Sequence, residues 1–295
     1  MPGRTIPDES AYTGTRFDDP VLARRREVLR ETVAYLHDRG RARLHALAAD
    51  NVARWAREAA THSVPTDPRA TGPRIEVVPD DWGEATARAT RRSGACFAVL
   101  NMANAHVPGG AYVEGTVAQE ENMFRRTDCH EAVDDAELDP LTQRYRPEMT
   151  ARLNAADGLV YLDTRTPRVC VRGPEDRAQA DLGYAWLADD EVFPFFELRA
   201  AAEDLRGGKP FDEDEMARRI HAQLDTLRYG GVRHVVLSAF GCGAFHNPAD
   251  RVAALYRDAL ARTPGNLEEV VFAIFAPGYG PDNYTPFADA FAPGR

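Results

Sequence analysis

Between positions 101 and 126 the sequence reads NMANAHVPGGAYVEGTVAQEENMFRR. Two asparagines, Asn101 and Asn104, a Pro-Gly-Gly turn, a further glycine and the adjacent carboxylates Glu120 and Glu121 follow one another directly after an apolar run. Adjacent carboxylates suit general acid–base work, because one negative charge beside another raises a pKa and keeps that group protonated near neutrality. Gly109 and Gly110 let the backbone take positive φ and approach a bound molecule closely. A plainer reading exists for each feature alone. Acids in a first helical turn are favoured by the helix dipole, and loop asparagines satisfy backbone groups. The coincidence of strand end, glycine turn and paired acids lifts the segment above that reading.

A second segment, LSAFGCGAFHNP (237–248), passes from a strand into Gly241-Cys242-Gly243-Ala244-Phe245 and on to a helix near Pro248. Successive N–H groups in such a loop, close to a helix N-terminus, form an anion nest suited to phosphate or diphosphate. The loop is not a dinucleotide fingerprint, since His246 stands where the third glycine would be, and no Gly-Lys-Ser/Thr marks a Walker loop. Phe245 can stack on a sugar or base, or plug the core. A third segment, FAPGYGPDNYTPF (275–287), offers an aromatic wall or a plain surface loop.

These loops need a scaffold. RIEVVP (74–79), SGACFAVLNM (93–102), DGLVYLDT (157–164), RVCVR (168–172), VRHVVLSAF (232–240) and VVFAIFA (270–276) read as strands, with helices predicted after the first strand, over 212–231 and over 248–262. Strand–helix alternation of this kind places helices on both faces of a sheet, and ligands bind outside the carboxyl ends of its strands. The first sixty residues differ. Asp19-Pro20 starts a helix bearing Leu22, Leu29, Val33 and Leu36 and stopping near Gly40. A second helix follows over 42–60 with Leu44, Leu47 and Trp55 as its buried side chains, and SVPTDPRATGP (63–73) reads as a connection. The chain thus divides into a helical extension, 1–70, packing on a core, and an α/β domain, 71–295.

Composition narrows the function. The 295 residues carry 36 basic and 46 acidic side chains, a formal charge of −10, so a general duplex-binding surface is not expected. No apolar run suits a membrane helix, and MPGRTIPDES lacks the apolar stretch of a signal peptide. The scattered cysteines Cys96, Cys129, Cys170 and Cys242 form no CxxC pair, which fits a reduced, cytoplasmic protein.

The motifs together carry a resemblance. Gly109-Gly110-Ala111, seven intervening residues and Gln119-Glu120-Glu121 resemble the signature of the macrodomain-type poly(ADP-ribose) glycohydrolases, microbial branch, in which three glycines precede Gln-Glu-Glu. VLNMANAHVP is similar to the asparagine-bearing strand end before those glycines, and SAFGCGAF to the family's diphosphate loop. The likeness extends from about residue 20 to the DNY-xPF stretch near the end, and its one departure is Ala111 in place of the third glycine.

The resemblance implies a three-layer α/β/α macrodomain-like fold with a central mixed sheet. It implies hydrolysis at the anomeric carbon of poly(ADP-ribose), or of protein-linked ADP-ribose, through an oxocarbenium-like transition state. Glu121 would be the acid/base and Glu120 would hold the ribose. Asn101, Asn104, Gly109, Gly110, Ala111, Gln119 and residues Gly241, Cys242, Gly243, Ala244 and Phe245 would bind substrate. Asp81 would touch adenine or, equally, cap a helix. The partners implied are ADP-ribose and ADP-ribosylated macromolecules, with no membrane, no sequence-specific nucleic acid, and no metal or cofactor needed. Ala111 raises the possibility of backbone strain at a position built for glycine. Three other readings share these residues. One is a mono-ADP-ribosyl-protein hydrolase, favoured by the spacing of Asn104 to Gly109. Another is a non-catalytic ADP-ribose reader. The last is a cysteine hydrolase pairing Cys129 or Cys242 with His130 or His246. His37, His62 and His234 read as ordinary surface or core histidines.

Overall fold

A computed structural model describes residues 4–61, 72–262, 266–276, 278 and 280–292. His62, most of the connection expected over 63–73, and Pro277 and Tyr279 of the third loop lie outside them. Six strands form one mixed sheet: β1 (Arg74–Val78), β2 (Phe97–Met102), β3 (Tyr161–Cys170), β4 (Phe193–Ala200), β5 (His234–Leu237) and β6 (Glu269–Ala273), in the order β1-β6-β5-β2-β4-β3. All neighbours pair in parallel except β3, which runs antiparallel to β4.

The runs 157–164 and 168–172, expected as two strands, make one strand with an irregularity between Asp163 and Arg168. β4 was not expected at all. Its sequence, FPFFELRA, breaks alternation with a proline and buries Glu197 and Arg199 as deeply as its apolar residues.

Eight helices flank the sheet among the described residues. These are α1 (Pro20–Arg39), α2 (Arg41–Thr61), α3 (Trp82–Ser93), α4 (Gln119–Arg126), α5 (Pro147–Leu153), α6 (Glu213–Tyr229), α7 (Ala249–Arg262) and α8 (Tyr284–Ala290). Their ends follow local chemistry. The Asp19 carboxylate accepts the Val21 N–H before Pro20. Asp212 caps α6 through the Glu215 N–H, and Gly94 leaves α3 with φ +66°. α8, read as loop from its Gly-Pro-rich surroundings, folds because Phe287 is buried against Tyr256 and Phe272.

Alternation along the strands creates two cores. Ala98, Leu100, Val235, Leu237, Val270 and Phe272 face α6, α7 and α8, where Met216, Ile220, Leu224 and Leu227 form the expected helical stripe. Phe97, Val99, Val236 and Val271 face the other way, against α3 and α4. Leu29 of α1 and Trp55 of α2 belong to that second core, so both early helices pack directly on the layer that carries the site. No described helix is long and apolar enough to cross a membrane.

Beneath the carboxyl edge lies a buried charge cluster. Glu197 is fully buried, with Arg168 Nε at 2.9 Å and Arg199 Nε at 3.0 Å. Arg199 also reaches Glu137 at 3.0 Å. Burial raises the Glu197 pKa, but the two guanidiniums outweigh it and hold the carboxyl at about 2. Its folded value therefore lies below the unfolded one. The stability it contributes is present above about pH 4.3 and is lost as pH falls through the folded value. Glu197→Gln takes the shared carboxylate from two buried guanidiniums, which keep only Glu137 and Asp163, and should cost about 3–5 kcal/mol. Denaturant melts from pH 7 to pH 3 check both points: the wild type should lose stability below about pH 4.3, and the gap to the variant should narrow there.

Candidate active site

β2 and β5 are hydrogen-bonded neighbours, so the loops that leave their carboxyl ends begin about 4.8 Å apart in the sheet. The first loop runs from Ala103 to α4. Gln119, at the start of α4, ties the helix to the strand. Its Oε1 accepts the Met102 N–H at 3.0 Å and its Nε2 donates to the Leu100 carbonyl at 2.7 Å. Both ends of its amide are engaged by β2, a structural role beside the substrate contact expected of it.

Glu120 turns inward and is 3 % exposed. Its Oε2 accepts the Asn104 N–H at 2.7 Å and its Oε1 the Gly109 N–H at 3.0 Å. Complete burial, reinforced by the neighbouring Glu121 charge, raises its pKa well above the usual carboxylate range, against the pull of those two N–H donors. The first cause of the Glu120 shift is desolvation, and only then like charge. Glu121 is half-buried, and one oxygen accepts the Ala111 N–H at 3.3 Å.

The glycines have distinct tasks. Gly109 (φ +73°) lies where a Cβ would come within 2.5 Å of the Tyr112 ring and 2.8 Å of the Phe124 ring. Gly110 (φ +59°) lies where a Cβ would sit 2.4 Å from Glu121 Oε1. Ala111 differs: its φ is −101°, a conformation open to any L-residue, so alanine fits the third position without the strain expected there. Asn104 opens the loop with an Asx turn, its Oδ1 accepting the N–H groups of His106 and Val107 at 2.9 and 3.0 Å.

The second loop follows β5. Gly241 takes φ +75°, and its carbonyl accepts from the Asn247 side chain at 3.0 Å, while the same amide also donates to the Glu203 carbonyl at 2.9 Å. Asn247 thus stitches this loop to the segment after β4. Its place before Pro248 was the available turn signal, and the sequence reading did not use it. Gly243 and Ala244 are exposed, and the N–H groups of Gly243, Ala244 and Phe245 find no acceptor among the described residues. Three free main-chain donors in one turn make a nest for an anion. Phe245 is half-buried against the core, with the Arg206 guanidinium 5.3 Å from its ring centre.

Three of the expected site residues have protein partners or burial of their own. Asn101 is fully buried and donates to Glu197 at 2.8 Å, so it braces the charge cluster from below. Asp81 is the N-cap of α3, accepting the N–H groups of Gly83 and Glu84, and it pairs with buried Arg126 at 2.7 Å. That cap and ion pair, rather than a base, are what its Oδ1 holds. Cys242 offers only main chain, because its side chain is buried in the core.

The thiol reading loses its nucleophiles here. Burial pushes Cys129 and Cys242 well above the normal thiol range, and a thiolate is the form that attacks. His130, whose Nδ1 lies 2.7 Å from the Tyr112 hydroxyl, is depressed to about 4 by burial.

Residues 23–154 match the family model described as microbial-type PARG, catalytic domain, PARG being poly(ADP-ribose) glycohydrolase. That stretch contains the glycine turn and both glutamates. Over that stretch the chain is similar to the microbial-type PARG catalytic domain. Among solved structures, the PARG of Thermomonospora curvata is 24 % identical, with a TM-score of 0.60, covering 90 % of this chain and 99 % of that one. The same enzyme bound to the inhibitor ADP-HPD is 25 % identical with a TM-score of 0.59 over the same shares. The Deinococcus radiodurans PARG in complex with ADP-ribose is 22 % identical with a TM-score of 0.52, covering 82 % of this chain and 90 % of that one. No curated protein matches the chain. The mixed sheet between two helical layers is the fold that these PARG structures share with it.

The tight approach of Gly110 to Glu121 generates a test. Gly110→Ala forces a side chain against the carboxylate at a positive φ, and should lower turnover by about 100-fold through misplacement alone. Initial rates of ADP-ribose release, with circular dichroism to confirm folding, check this.

Proposed function

We propose that this chain hydrolyses poly(ADP-ribose) by cutting the bond between the anomeric carbon C1″ of a ribose and the oxygen that joins it to the next unit, with Glu121 as the single acid/base. The observation that carries the assignment is the unequal engagement of the two glutamates. Glu120 is buried with both oxygens held by loop N–H groups, whereas Glu121 is half-buried and tied by one. A group that exchanges protons with substrate needs the accessible position.

In this reading the acid form of Glu121 protonates the leaving oxygen as the C1″–O bond breaks and positive charge develops on the ribose. The resulting carboxylate then takes a proton from the water that adds to C1″, and the residue returns to its starting state. One carboxyl serving both steps leaves no need for a covalent glycosyl–enzyme intermediate. Glu120, whose pKa burial raises, anchors the loop and holds the ribose through its hydroxyls. The nest at Gly243, Ala244 and Phe245 takes the diphosphate, and neutral main-chain donors can do so in a chain of net charge −10. The ADP-ribose and ADP-HPD complexes of the related PARG structures support such a ligand.

The ordinary backbone at Ala111 removes the strain expected there, the one departure from the family signature that spoke for a non-catalytic reader. ADP-ribosylated macromolecules are accordingly the partners we assign. The four unpaired cysteines support a reducing compartment, the cytoplasm.

Glu121→Gln keeps size and hydrogen bonding but cannot exchange a proton. Release of ADP-ribose from the polymer should fall by about 10²–10⁴-fold, while calorimetry still detects ADP-ribose binding. Full hydrolysis by that variant would remove the assignment.

A further inference from the structure

The segment before α1 read as polar and irregular in sequence, yet it lies along the catalytic loop. Arg4 Nη1 donates to the Gly110 carbonyl at 2.6 Å, with the Pro108 carbonyl at 3.5 Å, and its guanidinium stands 5.7 Å from the Tyr112 ring centre. Farther along, Tyr12 donates to the Val113 carbonyl, and Arg26 and Arg25 of α1 reach the Glu114 and Gly115 carbonyls at 3.4 Å each. The Thr116 hydroxyl donates to the Ala111 carbonyl at 3.0 Å. The loop therefore hands its carbonyls outward to side chains, while its N–H groups at Gly109 and Ala111 turn inward to Glu120 and Glu121.

One peptide joins the two sides. The carbonyl of Gly110 and the N–H of Ala111 belong to the same planar unit, and in a trans peptide they point in opposite directions. Arg4 holds the carbonyl end, and Glu121 is held by the N–H end. We propose that Arg4 is a positioning residue for the glycohydrolase reaction: by fixing the Gly110–Ala111 peptide it aims that N–H at Glu121 and so sets the direction of the acid/base carboxyl. The inference rests on the assignment of Glu121 given above.

The physics supports both geometry and strength. Gly110 has φ +59° and no side chain to restrict it, so its peptide is free to rotate unless something outside holds it. A hydrogen bond from a cation is stronger than one between neutral groups, and bonds in a chain polarise one another. Pulling on the carbonyl therefore makes the Ala111 N–H a better donor to Glu121. Arg4 also lies within electrostatic reach of the anchoring pair below the loop, since its charge is the second cause, after burial, of the depressed His130 pKa.

Arg4→Ala and Arg4→Lys should be compared with the wild type and with Glu121→Gln for kcat on poly(ADP-ribose), for the Kd of ADP-ribose, and for Tm. Arg4→Ala should lower kcat by about 10–100-fold, with the Kd and Tm close to those of the wild type. Arg4→Lys, which keeps a cationic donor on a single point, should recover part of kcat, and millimolar guanidinium should partly rescue Arg4→Ala. Wild-type kcat in Arg4→Ala, or a loss of kcat matched by equal losses in Kd and Tm with no rescue, would overturn the proposal. The readings separate cleanly. An inactive Glu121→Gln beside a fully active Arg4→Ala sinks the positioning role alone, whereas an active Glu121→Gln sinks the acid/base assignment itself.

Discussion

The structure turns on a carboxyl group that leaves water to receive two main-chain N–H groups. Glu120 draws the N–H of Asn104 and the N–H of Gly109 toward one point, which closes the loop between β2 and α4 on itself. A buried carboxyl without such donors would cost several kcal/mol, and the same donors without an acceptor would be nearly as costly. Each therefore enforces the other. Once the loop is closed, the residue beside Glu120 on α4 is presented at its mouth with one oxygen on the Ala111 N–H and the other without a hydrogen bond among the described residues. The side chain we propose as the acid/base is placed by its neighbour.

The rest of the fold holds that arrangement still. Gln119 welds α4 to the end of β2, and Phe124 packs its ring against Tyr112 at 4.8 Å, where a side chain on Gly109 could not be accommodated. Below, the Glu197 cluster with Arg168, Arg199 and Asn101 fills the junction of β2, β4 and β3 with paired charge. Such a cluster contributes little net stability against an apolar alternative, but it fixes geometry, because the Glu197 carboxylate depends on Arg168, Arg199 and Asn101 for its partners. On the next strand, the turn after β5 keeps its donors unpaired, and Asn247 bears the task of holding it in shape.

Much of this was legible in the sequence, and the parts that were not share a cause. Asp19-Pro20, the α6 stripe and the continuous apolar run of β2 follow local rules of capping and periodicity, and they appear where those rules put them. β4 does not, because Glu197 and Arg199 sit at core positions and become tolerable only through partners brought in by other strands. The same long-range pairing engages Asn101, Gln119 and Asp81, the last of which also caps α3 as one of its two expected roles. Their residue types suit ligand contact, and nothing in their spacing reveals that a distant carboxylate, a strand end and a buried arginine take those groups first. Ala111 shows the converse. A family position held by glycine suggested positive φ, whereas the backbone there is ordinary and the strained conformations fall at Gly109 and Gly110. Arg4, more than a hundred positions from the carbonyl it binds, left no sequence signal at all.

A crystal structure of the chain with ADP-ribose tests the account most directly. The account predicts diphosphate oxygens on the N–H groups of Gly243, Ala244 and Phe245, and a Glu121 carboxyl oxygen about 2.6–3.2 Å from the C1″ hydroxyl or from a water beside C1″. A diphosphate bound away from that turn, or a Glu121 carboxyl facing away from C1″ while Glu120 contacts it, would contradict the account.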